Sequence, residues 1–266
     1  MKFNQDYFKR YLLETPVPLA YERAFECHIL SQQEFSKPIL DVGCGDGIFA
    51  KMLFAEKIDT GIDPLDYELE YAKKTGMYDE LIQAYGDKIP KPDNYFASAF
   101  SNSVLEHIPD LNSVLKEVFR VLKPGGSFYA TIPTNYFDKH SVVSRIIYGL
   151  GLKKLGDRYT KFFNSFWKHY HFYDKAGWEE MFKRNGFKIE NVILYGAPKD
   201  CLFNDMMAPF CIPNFLIKKL ANRWIVFPFL RPIGASIWHA ILKPKVKIYD
   251  NLENGGLIYL MLTKPV

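Results

Sequence analysis

This 266-residue sequence predicts a doubly wound α/β fold, a parallel sheet covered by helices on both faces. Three observations lead there. Short apolar runs alternate with segments of helical period between residues 38 and 132. A glycine-rich turn joins the first run to the helix after it. A Lys123-Pro124-Gly125-Gly126 stop then ends one helix and opens another strand.

Each element can be justified in order. Residues 1–35 read as one or two helices, broken at Pro16 and Pro18. Pro38 to Val42 is a short apolar strand, and Asp46 to about Glu56 is a helix. Ile58 to Ile62 is the second strand, with a helix after Pro64. Leu81 to Ala84 is a weak third strand, and Tyr95 to Phe100 is the fourth. Leu111 to Leu122 places apolar residues at 111, 114, 115, 118, 119 and 122, one stripe of a helix. Ser127 to Ile132 is the fifth strand. Asp174 to Asn185 is a helix closed by Gly186, followed by strands at Lys188–Tyr195 and Gly256–Leu262. Between those two strands lie some sixty residues rich in Phe, Trp, Pro and Ile.

Composition narrows the class. Hydrophobic residues make 48% and charged residues 24%, as in a folded soluble chain. The net charge of +4 gives no global field for nucleic acid, and no nucleic-acid partner is expected. Residues 201–247 nevertheless carry seven Lys/Arg (Lys218, Lys219, Arg223, Arg231, Lys243, Lys245, Lys247) against Asp205 alone. Cys27, Cys44, Cys201 and Cys211 form no CxxC and show no ligand spacing with His, so no metal site and a reduced, cytoplasmic protein are expected. The N-terminal MKFNQDYFKRYLLETP has no apolar signal-peptide core.

The strongest chemical signal is Asp41-Val42-Gly43-Cys44-Gly45-Asp46-Gly47. It falls at a strand end and a helix start, where a ligand meets backbone N–H groups. A pyrophosphate-binding G-x-G-x-x-G would need glycine at Ile48. Gly61-Ile62-Asp63-Pro64 then sets a carboxylate at the tip of strand two, suited to two ribose hydroxyls. Taken singly, an incidental loop is the lesser reading of the turn, and a helix N-cap is another reading of Asp63.

The acidic-x-G-x-G-x-G spacing resembles motif I of the class I S-adenosylmethionine-dependent methyltransferases, of the type 11 kind. Gly86-Asp87-Lys88-Ile89-Pro90 resembles the segment that meets the adenine amino group in that family. Ser101-Asn102-Ser103-Val104-Leu105-Glu106-His107-Ile108 resembles its "LEH" segment, and Lys123 to Gly126 its turn before strand five. The likeness runs through residues 36–133 and more loosely through His169–Phe187. It implies a seven-stranded Rossmann-like sheet in a single domain over 1–266, with an aromatic-rich insertion between the last two strands, the sixth parallel and the seventh antiparallel. It also implies S-adenosylmethionine as cofactor and S-adenosylhomocysteine as product. The residues that would hold the cofactor are Arg23, Asp41, Gly43, Cys44, Gly45, Gly47, Asp63, Pro64, Gly86, Asp87, Lys88, Ser101 and Asn102. Arg23 enters because related enzymes close an N-terminal helix over the donor carboxylate; a solvated helix face is the other reading of it.

Residues 1–35 are expected as a helical cover, and 134–173 and 196–255 as lid or acceptor-side insertions, because strand-end loops at this edge face the ligand. Their aromatics include Tyr136, Phe137, Phe163, Trp167, Phe203, Phe215, Trp224, Phe227 and Trp238. They suit an apolar pocket or an added core. His107, His169 and His171 are the candidate catalytic bases, with His140 also in the segment. The acceptor is expected to be a small, lipophilic or glycolipid-like molecule. A soluble natural-product or quinone methyltransferase is the alternative, and a nucleoside-binding sensor or scaffold the non-enzyme one. Trp224 to Leu242 is apolar, but Arg231, His239, Pro228 and Pro232 argue against a membrane span. The 201–247 segment instead fits peripheral contact with an anionic membrane surface, or an internal lid.

Overall fold

The computed structural model describes residues 1–221, 224, 225, 229, 231–249 and 252–266, with residues 215, 219 and 221 described by backbone alone. Phe215, Lys219, Arg223, Phe227 and Pro228, all used in the sequence reading, therefore lie outside the described side chains.

A seven-stranded sheet organises the chain in the order β3-β2-β1-β4-β5-β7-β6. Strands β1 (Ile39–Val42), β2 (Ile58–Asp63), β3 (Tyr78–Gln83), β4 (Phe96–Asn102) and β5 (Leu122–Pro133) are parallel. Strand β7 (Leu257–Thr263) is antiparallel to both β5 and β6 (Lys188–Tyr195), as expected of the last strand. The chain moves outward from β1 through β2 to β3, then returns to start β4 on the other side of β1. That reversal opens a crevice at the carboxyl ends of β1 and β4.

Alternation along the strands feeds two cores. Ile39, Phe100, Tyr129 and Tyr259 pack in one cluster, and Leu40, Val42, Phe128, Ala130 and Leu260 in the other. The first is covered by α1 (Tyr7–Glu14), α2 (Val17–Leu30), α3 (Ile48–Leu53) and α4 (Asp66–Thr75). The second is covered by α5 (Leu111–Val121) and α8 (Lys175–Arg184). Of the expected stripe, Leu111, Val114, Leu115 and Val118 are buried, Phe119 is half-buried and Leu122 already belongs to β5, while Val121 completes the buried face of α5. Its first turn is capped by the Asp110 carboxylate, which accepts the Ser113 N–H at 3.2 Å.

Three elements differ most from expectation. Helix α3 begins at Ile48 because Gly45 and Gly47 adopt φ of 51° and 72°, and it stops at Leu53 where Phe54 bridges to Phe3. Strand β3 begins at Tyr78, three residues early, because pairing with β2 stabilises Asp79 and Glu80 on an exposed edge. Strand β5 begins at Leu122, with the Pro-Gly-Gly segment absorbed where the β4 register shifts.

The two long connections are helical. Helices α6 (Val142–Gly149) and α7 (Lys153–Phe166) follow β5. Helices α9 (Pro198–Met207), α10 (Ile212–Ala221) and α11 (Arg231–Leu242) lie between β6 and β7. Helix α9 packs on α2, and α11 on α1. Tyr21 of α2 donates to Asp200 of α9 at 2.8 Å, and Phe203 meets the Tyr21 ring edge-on.

Candidate active site

Gly43 and Cys44 donate their N–H groups to the Ile62 carbonyl, both at 2.9 Å, which fastens the glycine turn to β2. The Asp63 carboxylate accepts from Gly45 N–H at 3.0 Å and Leu65 N–H at 2.9 Å. Burial raises its pKa while those two donors oppose the rise. A Cβ on Gly43 would come within 2.5 Å of Val104, so this glycine admits the chain after β4. Gly45 differs: a Cβ there would project into open space. That is a cradle in which a ligand can lie against the backbone, and it suits a nucleoside with an amino acid end.

Asp41 sits beneath this turn, 3% exposed, accepting from the Tyr78 hydroxyl at 2.8 Å. Burial pushes its pKa up to about 7 against that hydrogen bond. Cys44 is buried, Gly47 packs on Ala72, and Pro64 is half-buried at the tip of β2. Ser101 Oγ donates to the Val42 carbonyl at 2.9 Å, and Asn102 Nδ2 to Thr131 Oγ1 at 2.5 Å, so both tie β4 to its neighbours. Gly86 faces Val114 of α5, while Asp87 and Lys88 are exposed in the turn after β3. All these positions lie at the carboxyl ends of four adjacent strands.

Beside the turn opens a cavity of about 320 Å³. Its apolar walls include Leu19 of α2, Pro133, Phe137, Phe163 of α7, Trp167, Trp224 and Leu257. Its polar wall includes Glu22, Arg23, Ser103, Glu106, His107 and His169. Ser103 precedes Val104, which packs on Gly43, so cavity and turn share one edge. Trp224 also lines a second groove with Asp46, where Lys218 of α10 holds the Asp46 carboxylate at 2.6 Å.

Arg23 is no solvated helix residue. Its Nη1 contacts both Glu26 oxygens at 2.6 and 2.7 Å, Ser103 Oγ at 2.7 Å and Glu22 Oε1 at 3.5 Å. Burial alone would lower its pKa, but the Glu26 and Glu22 carboxylates outweigh that and raise it. Two protein carboxylates already share this guanidinium. Burial brings Glu22 to about 7 despite Arg23, and Glu106 to about 8.

His107 and His169 come together, ring centroids 5.1 Å apart, with Glu106 Oε1 3.6 Å from His107 Nε2. Burial lowers the pKa of both rings, that of His169 to about 4 with help from His107. His171 is spent elsewhere, with Nε2 2.9 Å from the Ile108 carbonyl and Nδ1 3.2 Å from the Tyr173 hydroxyl. His140 Nε2 lies 2.7 Å from the Asn254 carbonyl and fastens α6 to the approach to β7. The sequence reading named neither Glu22 nor Glu26, and it placed Glu106 only within a motif. No local spacing reveals carboxylates that matter because of what folds over them.

Glycine turn, carboxylate at the second strand and sheet order together match the Rossmann-like methyltransferase fold. Residues 40–130 match the family profile described as a methyltransferase domain. Among curated relatives, the chain is 36% identical over 149 residues to the sterol 24-C-methyltransferase erg6 of Aspergillus fumigatus, covering 52% of this chain and 39% of that one. The chain thus spans less than half the length of the first curated relatives it matches. Among solved structures it resembles a SAM-dependent methyltransferase of Thermotoga maritima, a possible histamine N-methyltransferase. There the TM-score is 0.55 at 17% identity, covering 97% of this chain and 94% of that one. It also resembles the [4+2]-cyclase SpnF, with TM-score 0.57 at 17% identity, covering 93% and 82%. The two structural likenesses bear on the fold.

Proposed function

We propose that this chain binds S-adenosylmethionine in the crevice between β1 and β4 and methylates a small lipophilic acceptor held in the adjoining cavity. The observation that carries this reading is adjacency: Val104 packs on Gly43 of the glycine turn, and its neighbour Ser103 lines the aromatic-walled cavity. Bound S-adenosylmethionine supplies a methyl group already activated by its sulfonium and leaves as S-adenosylhomocysteine.

The chain's own residues then have positioning work. Gly43, Cys44, Gly45 and Gly47 present backbone to the ligand, supported by Asp41 from below. Asp63 and Pro64 receive the ribose, Gly86, Asp87 and Lys88 the base, and Ser101 and Asn102 hold the β4 edge. Arg23, on the helical cover, faces the amino acid end and shares its charge with Glu22 and Glu26. Phe137, Phe163 and Trp167 exclude water and orient an apolar acceptor, with the 134–173 and 196–255 segments acting as lids. His107 and His169, two of the three candidate histidines, face the acceptor's reacting group beside Glu106, whereas His171 is bonded to Ile108 and Tyr173. Similarity to sterol methyltransferases supports a lipophilic acceptor. A soluble quinone or natural-product acceptor would occupy the same cavity. A fold by itself does not fix an activity, and a nucleoside-binding role without methyl transfer is the second reading.

Calorimetry with S-adenosylhomocysteine tests the site, and label from methyl-labelled donor entering a lipid extract tests the reaction. Binding without transfer to any fraction favours the second reading. No heat from well-folded protein refutes both.

A further inference from the structure

We propose that Glu106, His107 and His169 form a binding site for one divalent transition-metal ion in the wall of the cavity. Each offers a donor atom, and these lie within 4.8 Å of one another. Sequence spacing does not show this trio, because His169 arrives only when the segment after α7 folds back. The Tyr170 N–H donates to the Glu106 carbonyl at 2.8 Å and sets that approach.

Glu106 Oε2 is buried without a hydrogen-bond partner, on a side chain only 3% exposed. A buried oxygen left so is costly, and a cation satisfies it. The imidazoles are prepared for one. Asn164 Nδ2 donates to Asp138 Oδ2 at 2.7 Å and the Thr160 carbonyl at 3.0 Å. The Asn164 Oδ1 is therefore the acceptor that meets His169 Nδ1 at 3.1 Å, so that nitrogen carries the proton. His107 Nδ1 meets the Lys168 carbonyl at 3.2 Å, which can only accept. Both rings are thus fixed as Nδ1–H tautomers, and both keep an Nε2 lone pair. Oxygen acceptors behind the distal ring nitrogen are the usual supports of metal-binding histidines.

Two imidazoles and one carboxylate suit zinc or iron(II) rather than magnesium or calcium. Ligand atoms around a bound tetrahedral ion lie about 3.3 Å apart, so the trio needs to close modestly. Three protein ligands leave further coordination positions on the cavity side. An ion there would bind and polarise an acceptor oxygen, a role that rests on the methyl-transfer reading, whereas the site itself does not.

The test is cobalt(II) titration of the chelator-treated full chain, followed by its visible d–d absorption, with zinc(II) as competitor. The expected result is one saturating equivalent displaced by zinc. Glu106→Gln and His169→Ala should each abolish it, and Asn164→Leu should weaken it by about 10- to 100-fold. Near-UV circular dichroism identifies variants that remain folded. Absence of saturable binding, or unchanged binding in folded Glu106→Gln and His169→Ala proteins, overturns the site and leaves a Glu–His–His cluster that holds no ion. S-adenosylhomocysteine calorimetry on the same samples reports separately on the methyl-transfer reading.

Discussion

Asp41 shows how one buried carboxyl makes the glycine turn pH-sensitive. Folding raises its pKa from 3.8 to about 7, chiefly through burial. The folded state therefore keeps the proton where the unfolded chain has lost it, and stability falls as pH rises from about 4 to about 7. Each unit corresponds to about 1.4 kcal/mol, so the loss reaches a few kcal/mol. Asp41→Asn keeps an oxygen for Tyr78 but removes the titration. The denaturation midpoint of Asp41→Asn should therefore gain on the parent between pH 5 and pH 8; a gap independent of pH contradicts the assignment. Gly45→Val tests the cradle. Backbone strain at positive φ should cost it about 1 kcal/mol, while S-adenosylhomocysteine affinity should fall at least about tenfold by calorimetry. Unchanged affinity would mean that no ligand lies against that turn.

Helix α11 carries an arginine that the sequence reading weighed against membrane insertion. Its structural use is more specific. The Arg231 guanidinium donates to the Leu12 and Thr15 carbonyls, where α1 ends and the chain turns into α2. Unpaired carbonyls at a helix end need donors, and a cation there is also favoured by the helix dipole. Arg231→Met should raise amide exchange across α1 and α11 by about tenfold or more, leaving β1 to β5 unaffected. Uniform exchange would show that the latch does not hold these helices. The difference between elements explains what sequence reading could reach. Helix α5 was legible because a single stripe of apolar residues meets one flat sheet face. Helices α9 to α11 were read only as an apolar stretch, since they pack on other helices at angles that no local period encodes.

Across the whole molecule, apolar surface is concentrated on the helical insertions. Phe210, Leu220 and Phe229 are 74%, 83% and 76% exposed, and Phe162 and Phe166 of α7 add to it. Among the described residues no helix is long and apolar enough to cross a membrane. Of the basic residues in 201–247, Lys218 is committed to Asp46 and Arg231 to α1, while Lys243, Lys245 and Lys247 are exposed. Exposed apolar side chains and exposed lysines within one stretch of chain suit the headgroup region of anionic lipid. We expect the chain to sediment with vesicles containing phosphatidylserine at low salt and much less at high salt. Leu220→Glu combined with Phe210→Glu should reduce binding by about tenfold or more. Equal recovery with neutral vesicles, or none at low salt, would leave these rings as lid surface.

The sequence by itself determined the sheet, its glycine turn and the carboxylate at the end of β2. Each depends on residues close along the chain, whose spacing is dictated by strand and helix geometry and by backbone that must admit a ligand. Tertiary structure alone decided that Arg23 is bound by Glu26 and Glu22 and that His169 joins Glu106 and His107 while His171 turns away. It also decided that residues of both long insertions line one cavity. Burial, the tautomer of an imidazole and the unpaired oxygen of Glu106 come from side chains brought together from distant segments, and such meetings leave no period in the sequence.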